Sequence, residues 1–176
     1  MNIIIFIVLE KVIIMKIKLD SLYITEYCHS DKRKYRFIKE VGEDPLINQF
    51  VSYHIDNHLE NSENLNDLEI GPAYIIADQR KLVGLIRLAN LDFDGTLELH
   101  YAVHPDYRRQ HYGTKILAEV SKYVFKNVQD VKMIELYIKE INKGSLKCAT
   151  NAGFLFDRDL TPLSNNYSVK VFNKRR

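Results

Sequence analysis

The sequence predicts a single mixed α/β domain, and three observations carry that reading. Alternating apolar runs are interleaved with runs of helical spacing. The strand-like segments AYIIAD, KLVGLIRLANL and TLELHYAV follow one another across short breaks. The full order reads β-α-α-β-β-β-α-β-α-β-β. A chain of 176 residues, 46% of them hydrophobic, has the material for one substantial core.

Taken in order, residues 17–27 alternate well enough for a first strand. Residues 29–41, rich in Lys and Arg, predict a helix punctuated at its end by Gly42 and Pro45. Leu46, Ile47, Phe50, Val51 and Ile55 fall at helical spacing, so a second helix is expected over residues 46–59. The polar stretch NHLENSENLNDLEIGP closes on Gly71-Pro72 and predicts a loop. The next three strands are parted only by Gln79-Arg80 and by residues 92–95 with the turn pair Asp94-Gly95, which predicts an antiparallel meander. Ile116, Leu117, Val120, Tyr123 and Val124 then mark one face of an amphipathic helix. VKMIELYIKE is almost continuously apolar, as a strand inside a sheet must be. Residues 142–152 predict a short helix with Gly153 just past its end. FLFDRDL and SVKVFNK complete a set of about seven strands.

The N-terminus stands apart. MNIIIFIVLEKVIIMK is too short for a spanning helix, which needs about 20 apolar residues. It also lacks the basic start and small-residue cleavage site of a signal peptide. Residues 1–14 are read as an extension of the domain over residues 15–176. Three forms stay open: an arm or extra strand, an interfacial segment, or residues upstream of a start at Met15.

Lys and Arg number 25 against 23 Asp and Glu, a net charge of only +2. That balance argues against a surface built to hold nucleic acid or an anionic membrane, so any basic site must be local. A nucleic-acid binder using Arg108, Arg109 and the cluster Lys32-Arg33-Lys34 conflicts with it. Cys28 and Cys148 show no metal spacing and the six histidines no metal pairing. No metal is expected, and the cysteines read as free thiols in a reducing cytoplasm.

The chemistry concentrates in HPDYRRQHYGTKIL, residues 104–117, where a strand turns into a helix. The first N–H groups of a helix have no partners within it, and with the helix dipole they form an anion site. Arg108, Arg109 and the N–H groups of Gln110, His111, Tyr112, Gly113 and Thr114 are placed to wrap a pyrophosphate, Gly113 allowing close approach to the backbone. Taken alone, the segment fits equally a solvated basic turn. It is neither a Walker A loop nor a GxGxxG loop.

Read with its neighbours, ELHYAVHPDYRRQHYGTKIL resembles the CoA-binding motif of the GNAT superfamily of N-acetyltransferases, with Val103, Pro105, Tyr107, Arg108 and Gly113 matching. His111 occupies the first glycine position and departs from the pattern. A second segment, IELYIKEINKGSLKCATNAGF, is similar to the family's following strand-Asn-helix-Gly-Phe segment through Asn142, Ser145, Gly153 and Phe154. A tyrosine is frequent seven residues after that asparagine, but Ala149 stands there. With Ser145 in place, the pattern is closer to the branch that includes ribosomal-protein N-terminal acetyltransferases.

The resemblance implies a central, mostly antiparallel sheet flanked by helices and splayed between its fourth and fifth strands. It implies acetyl-CoA as co-substrate, with pantetheine bonding the main chain around Ala102 and Val103 and Asn142 as a further contact. It implies direct attack by a primary amine of a small molecule, protein or peptide, in a cytoplasmic monomer or homodimer. Glu98 is the candidate base, with His100 and His104 in reserve on the same face of the strand. Ser145 is the candidate donor to the departing sulfur. The competing readings are that Glu98 is merely paired, that Ser145 and Asn142 only serve the helix end, and that the chain is a non-catalytic acyl-CoA-binding module.

Overall fold

The computed structural model describes residues 17–26, 31–50, 73–89, 91–160 and 168–176. The proposed extension, Met15, Cys28, the polar loop and the later part of the second helix lie outside those residues. The first expected strand is instead a hairpin, β1 (Ile17–Lys18) and β2 (Tyr23–Glu26). Its turn closes by a bond from Leu19 N to Leu22 O. The Glu119 carboxylate accepts from the N–H groups of Ser21 and Leu22 and so staples the turn to a distant helix. The strand count is therefore eight among the described residues.

Helix α1 (Lys32–Gly42) starts later than its composition suggests, because Asp31 accepts from the N–H groups of Arg33 and Lys34 and sets the boundary. A short helix α2 (Pro45–Phe50) follows, capped in the same way by Asp44, which accepts from Ile47 N. Then come β3 (Ala73–Asp78), β4 (Lys81–Ala89) and β5 (Thr96–Val103), an antiparallel meander as the sequence predicts. A 3₁₀ turn (Pro105–Tyr107) leads to α3 (Tyr112–Asn127), then β6 (Met133–Lys139), α4 (Lys143–Asn151), β7 (Leu155–Leu160) and β8 (Val169–Arg175). Gly153, at φ +82°, ends α4 as expected.

The strands form one sheet in the order β1-β2-β3-β4-β5-β6-β8-β7. Its faces carry separate cores. Phe37, Ile38, Val41 and Ile47 of α1 and α2 pack on Ile75, Ala77, Leu82 and Leu85. Ile116, Leu117, Val120 and Val124 of α3, with Ala149 of α4, pack on the other face against Ile86, Leu97, Leu99, Ile134 and Leu136. β5 and β6 form the parallel pair, and their pairing stops after three positions: Thr96 with Met133, Leu97 with Ile134, Glu98 with Glu135. Beyond that point the two strands diverge.

Gly84 of β4 marks how tightly β5 is held beside this gap. A Cβ there would stand 2.5 Å from Ala102 O and 2.9 Å from Ile116 Cδ1. Gly84→Ala is expected to cost about 1–3 kcal/mol, read as a lower urea midpoint at unchanged m-value.

Candidate active site

Where β5 and β6 part, a cleft of about 740 Å³ opens toward the N-terminal ends of α3 and α4. Ala102, Val103, Arg108, Arg109, His111, Tyr112, Gly113, Thr114, Asn142 and Ser145 all line it. Glu98 and Gln110 are not among its lining residues. Gln110 folds back to donate to Asp106 O at 2.8 Å.

The strand edge facing the gap follows from register. His104 N donates to Val83 O on the β4 side at 3.0 Å, and main-chain groups alternate sides along a strand. The N–H and C=O groups of Tyr101 and Val103 therefore turn toward the gap. Those of Ala102, opposite Leu85 in the ladder, turn toward β4. Ala102 reaches the cleft with its methyl group rather than as a main-chain partner.

The mouth is the N-terminus of α3. The other described helices carry side-chain caps, Asp31 on α1, Asp44 on α2 and Asn142 on α4. His111, the cap residue of α3, makes no side-chain cap bond. The first N–H groups of this helix are left for an anion, with its dipole behind them. His111 takes the left-handed conformation, φ +63° and ψ +4°, that glycine would occupy with less strain, and Arg109 is also left-handed at φ +59°. A Cβ on Gly113 would meet Cys148 Sγ at 2.8 Å and Tyr101 Cε2 at 3.3 Å, so glycine here lets α3 pack closely on its neighbours as well as leaving the helix end open.

The loop's charges divide into two groups. Arg108 is gripped by Asp44 in a two-pronged pair, at 2.7 and 3.2 Å. It ties the loop to α2 as well as facing the cleft. Burial alone would raise the Asp44 pKa, but the bond from Arg108 and those from the N–H groups of Ile47 and Leu46 outweigh it and hold the carboxyl below its ordinary value. Tyr112 Oη donates to Asp78 at 2.8 Å, and that bond to a carboxylate pushes the phenol up to about 12. His104 is buried between Phe37 and the loop, with Nε2 3.1 Å from Glu40 and Nδ1 accepting from Asp106 N. It is a structural link between α1 and the loop. Arg109, exposed at the rim, is joined there by Lys143 and Lys147 of α4, which the motif reading did not single out. Among the described residues no Asp or Glu lines the cleft, and Arg108, Arg109, Lys143 and Lys147 make its mouth cationic.

Glu98 lies at the base of the splay on the α1–α2 face, 2.8 Å from His100. Beside it in the register is Glu135, buried, which takes bonds from Arg158 at 3.0 Å and Tyr137 Oη at 2.7 Å. Burial first, then the bond to Glu135, pushes Tyr137 up to about 12, and the Glu98 charge adds to the shift. Glu135, Tyr137 and Arg158 were missed by the sequence reading. The alternation of Glu135 and Tyr137 with Ile134, Leu136 and Ile138 was the available signal.

A mixed sheet parted at one parallel pair, with a cationic helix end at the mouth of the gap, defines the acetyltransferase type of α/β domain. Residues 17–155 match the family model described as an acetyltransferase (GNAT) domain, and the chain belongs to that family. Solved structures agree in fold. A GNAT-family acetyltransferase from Bacillus anthracis is 16% identical, with a TM-score of 0.72 over 92% of this chain and 98% of that one. A ribosomal L7/L12 alpha-N-protein acetyltransferase in complex with coenzyme A is 11% identical, with a TM-score of 0.74 over 92% and 98%. Spermidine N-acetyltransferase from Vibrio cholerae, with CoA and spermine, is 16% identical, with a TM-score of 0.71 over 88% and 95%. No curated protein matches the sequence significantly.

Two outcomes are expected. His111→Gly retains or raises thermal stability, whereas His111→Val loses about 1–2 kcal/mol because a β-branched side chain resists the left-handed conformation; thermal melts of both variants decide it. The second concerns pH. A depressed carboxyl stabilises the fold above its unfolded pKa, and that stability is lost as pH falls through the folded value. The stability gap between the wild type and Asp44→Asn should therefore hold at neutral pH and close only below the ordinary value of 3.8, in urea titrations across acidic buffers.

Proposed function

We propose that this chain transfers an acetyl group from acetyl-CoA to a primary amine, by direct attack of the amine on the thioester within a ternary complex. The observation that carries this reading is the parting of β5 from β6 directly beneath an uncapped helix N-terminus. A strand edge is left exposed in the same cleft as an anion site, an arrangement that suits a phosphate-bearing acyl carrier. The α3 N–H groups with Arg109, Lys143 and Lys147 suit the phosphates, while Arg108 braces the loop through Asp44. The edge groups of Tyr101 and Val103 suit an extended amide-bearing arm laid in as an added strand. A strand N–H aimed into the gap would polarise the acetyl carbonyl as negative charge develops on it.

The amine would arrive from the opposite, α1–α2 face, where Glu98 and His100 stand at the base of the splay. Glu98 is the proposed base, taking the proton of the attacking ammonium directly or through water. Ser145, at the first turn of α4 and lining the cleft, is the proposed hydrogen-bond donor to the departing sulfur. Asn142 holds the Ser145 N–H at 3.1 Å, so its first role is to fix that turn. The acceptor class stays at the level of an amine. The relatives of this fold named above act on a ribosomal protein and on spermidine.

The test is thiol release from acetyl-CoA against a panel of polyamines, aminoglycosides and peptides with free N-termini. Turnover with at least one amine is expected. Glu98→Gln should lower kcat/KM by about 10²–10⁴-fold at neutral pH while CoA affinity, measured by calorimetry, stays at the wild-type value. CoA binding without turnover of any amine would instead favour a non-catalytic acyl-CoA-binding module.

A further inference from the structure

The cleft is lined by one buried polar group, on Tyr101, that the acetyl-transfer reading has not used. Ala149 is fully buried and offers no polar atom where relatives of the motif carry a tyrosine. The neighbouring strand supplies a phenol instead. Tyr101 points from β5 toward α3 and α4, and its ring lies against the first turn of α3 beside Cys148. Its hydroxyl oxygen is buried and makes no hydrogen bond among the described residues. The polar groups close enough to act on it are the Ser145 hydroxyl and the Cys148 thiol. Burial first, then the nearby thiol, pushes the phenol well above its ordinary value against a smaller lowering by the Ser145 hydroxyl, so it remains an O–H donor throughout the working pH range. A buried donor without a partner is costly, and native structures keep few of them.

Of the two neighbours the serine is the better acceptor, because sulfur accepts hydrogen bonds weakly. The Ser145 backbone is fixed by Asn142, which leaves its hydroxyl to turn about the Cα–Cβ bond. Both side chains line the same cleft.

We infer that Tyr101 is a positioning residue for acetyl transfer: its O–H donates to Ser145 Oγ and turns the serine's own O–H toward the sulfur of the acyl donor. The inference rests on the acetyl-transfer reading and supplies the sulfur-side group that Ala149 cannot. The C–N bond forms as the C–S bond breaks, and the bonding pair leaves on sulfur. No proton is drawn from the phenol, since a thiolate is a weaker base than a phenolate by about 1.5 pKa units even for unperturbed groups. The tyrosine–serine pair stabilises the sulfur charge by hydrogen bonding, and the thiolate takes its proton from water. The proton lost by the amine goes to the base.

The experiment uses the full chain, acetyl-CoA and an amine that the wild type turns over. Tyr101→Phe removes one oxygen and keeps the ring contacts. It is expected to lower kcat about tenfold, at unchanged KM for acetyl-CoA and unchanged CoA affinity. Its melting temperature should equal or exceed that of the wild type. Ser145→Ala should lower kcat at least as far, and the double variant no further than Ser145→Ala alone. Ser145→Thr, which keeps the hydroxyl, should restore most of the rate. A packing role would instead move stability and KM and leave kcat in place. Wild-type kcat in Tyr101→Phe, or losses that add in the double variant, overturns the inference while leaving acetyl transfer intact. A wild type that turns over no amine overturns both.

Discussion

The three-residue length of the β5–β6 ladder is the constraint on which the site depends. A parallel pair needs a crossover, here α3, and the crossover leaves β5 through the loop of residues 104–111. Had the pairing continued past Glu98, the edge groups of Tyr101 and Val103 would face β6 and no cleft would exist. Because it stops, the end of β5 is held from one side only, by β4. The close approach of Gly84 to Ala102 O and the bond from His104 N to Val83 O keep that single-sided strand in place. On the far side β6 is held through seven register positions with β8. The gap is therefore bordered by two strands that each have firm support outside it.

The same economy explains how a cationic loop sits beside a helix N-terminus without flying open. Arginine placed near the positive end of a dipole is unfavourable unless a carboxylate answers it. Asp44 answers Arg108 and also caps α2, so one carboxylate joins that helix to the loop. Tyr112 to Asp78 and His104 to Glu40 add ties from the loop to β3 and α1. What remains at the rim is Arg109 with Lys143 and Lys147, whose exposed charges keep their hydration until a ligand arrives.

Much of this was legible beforehand, for reasons that differ by element. The meander, α3 and the turn at Asp94-Gly95 obey local rules of alternation, amphipathicity and turn chemistry, and they fall where those rules put them. Gly95 takes φ +90° and Asp94 accepts from Thr96 N, as that turn requires. The β1–β2 hairpin was not legible, because Glu119, 97 residues from Leu22, fixes its turn. Within the site, Gly113 and the open end of α3 could be read from the motif. The pairing of Arg108 with Asp44 and the approach of Glu135 to Glu98 could not, since each joins residues set adjacent only by the sheet order. His111 is the instructive case. A histidine at a glycine position departs from the motif, yet the backbone is left-handed there all the same, and the strain is carried by an exposed residue.

The splay also accounts for the unequal character of the two sheet faces near β6. Toward α3 and α4, Ile134, Leu136 and Ile138 close the core. Toward the other face the alternate residues are Glu135, Tyr137 and Lys139, with Glu135 opposite Glu98. Two carboxylates side by side would repel if both were bare, and each has found a partner, Arg158 for Glu135 and His100 for Glu98. The pairings differ in kind. Arginine offers Glu135 a forked pair of donors, and Glu135 in turn accepts from Tyr137 beside it. Histidine offers Glu98 a single ring nitrogen, at 2.8 Å. That difference, set by which residue lies two positions along β5, fits the proposed role of Glu98 rather than Glu135, which is buried and already holds Arg158 and Tyr137.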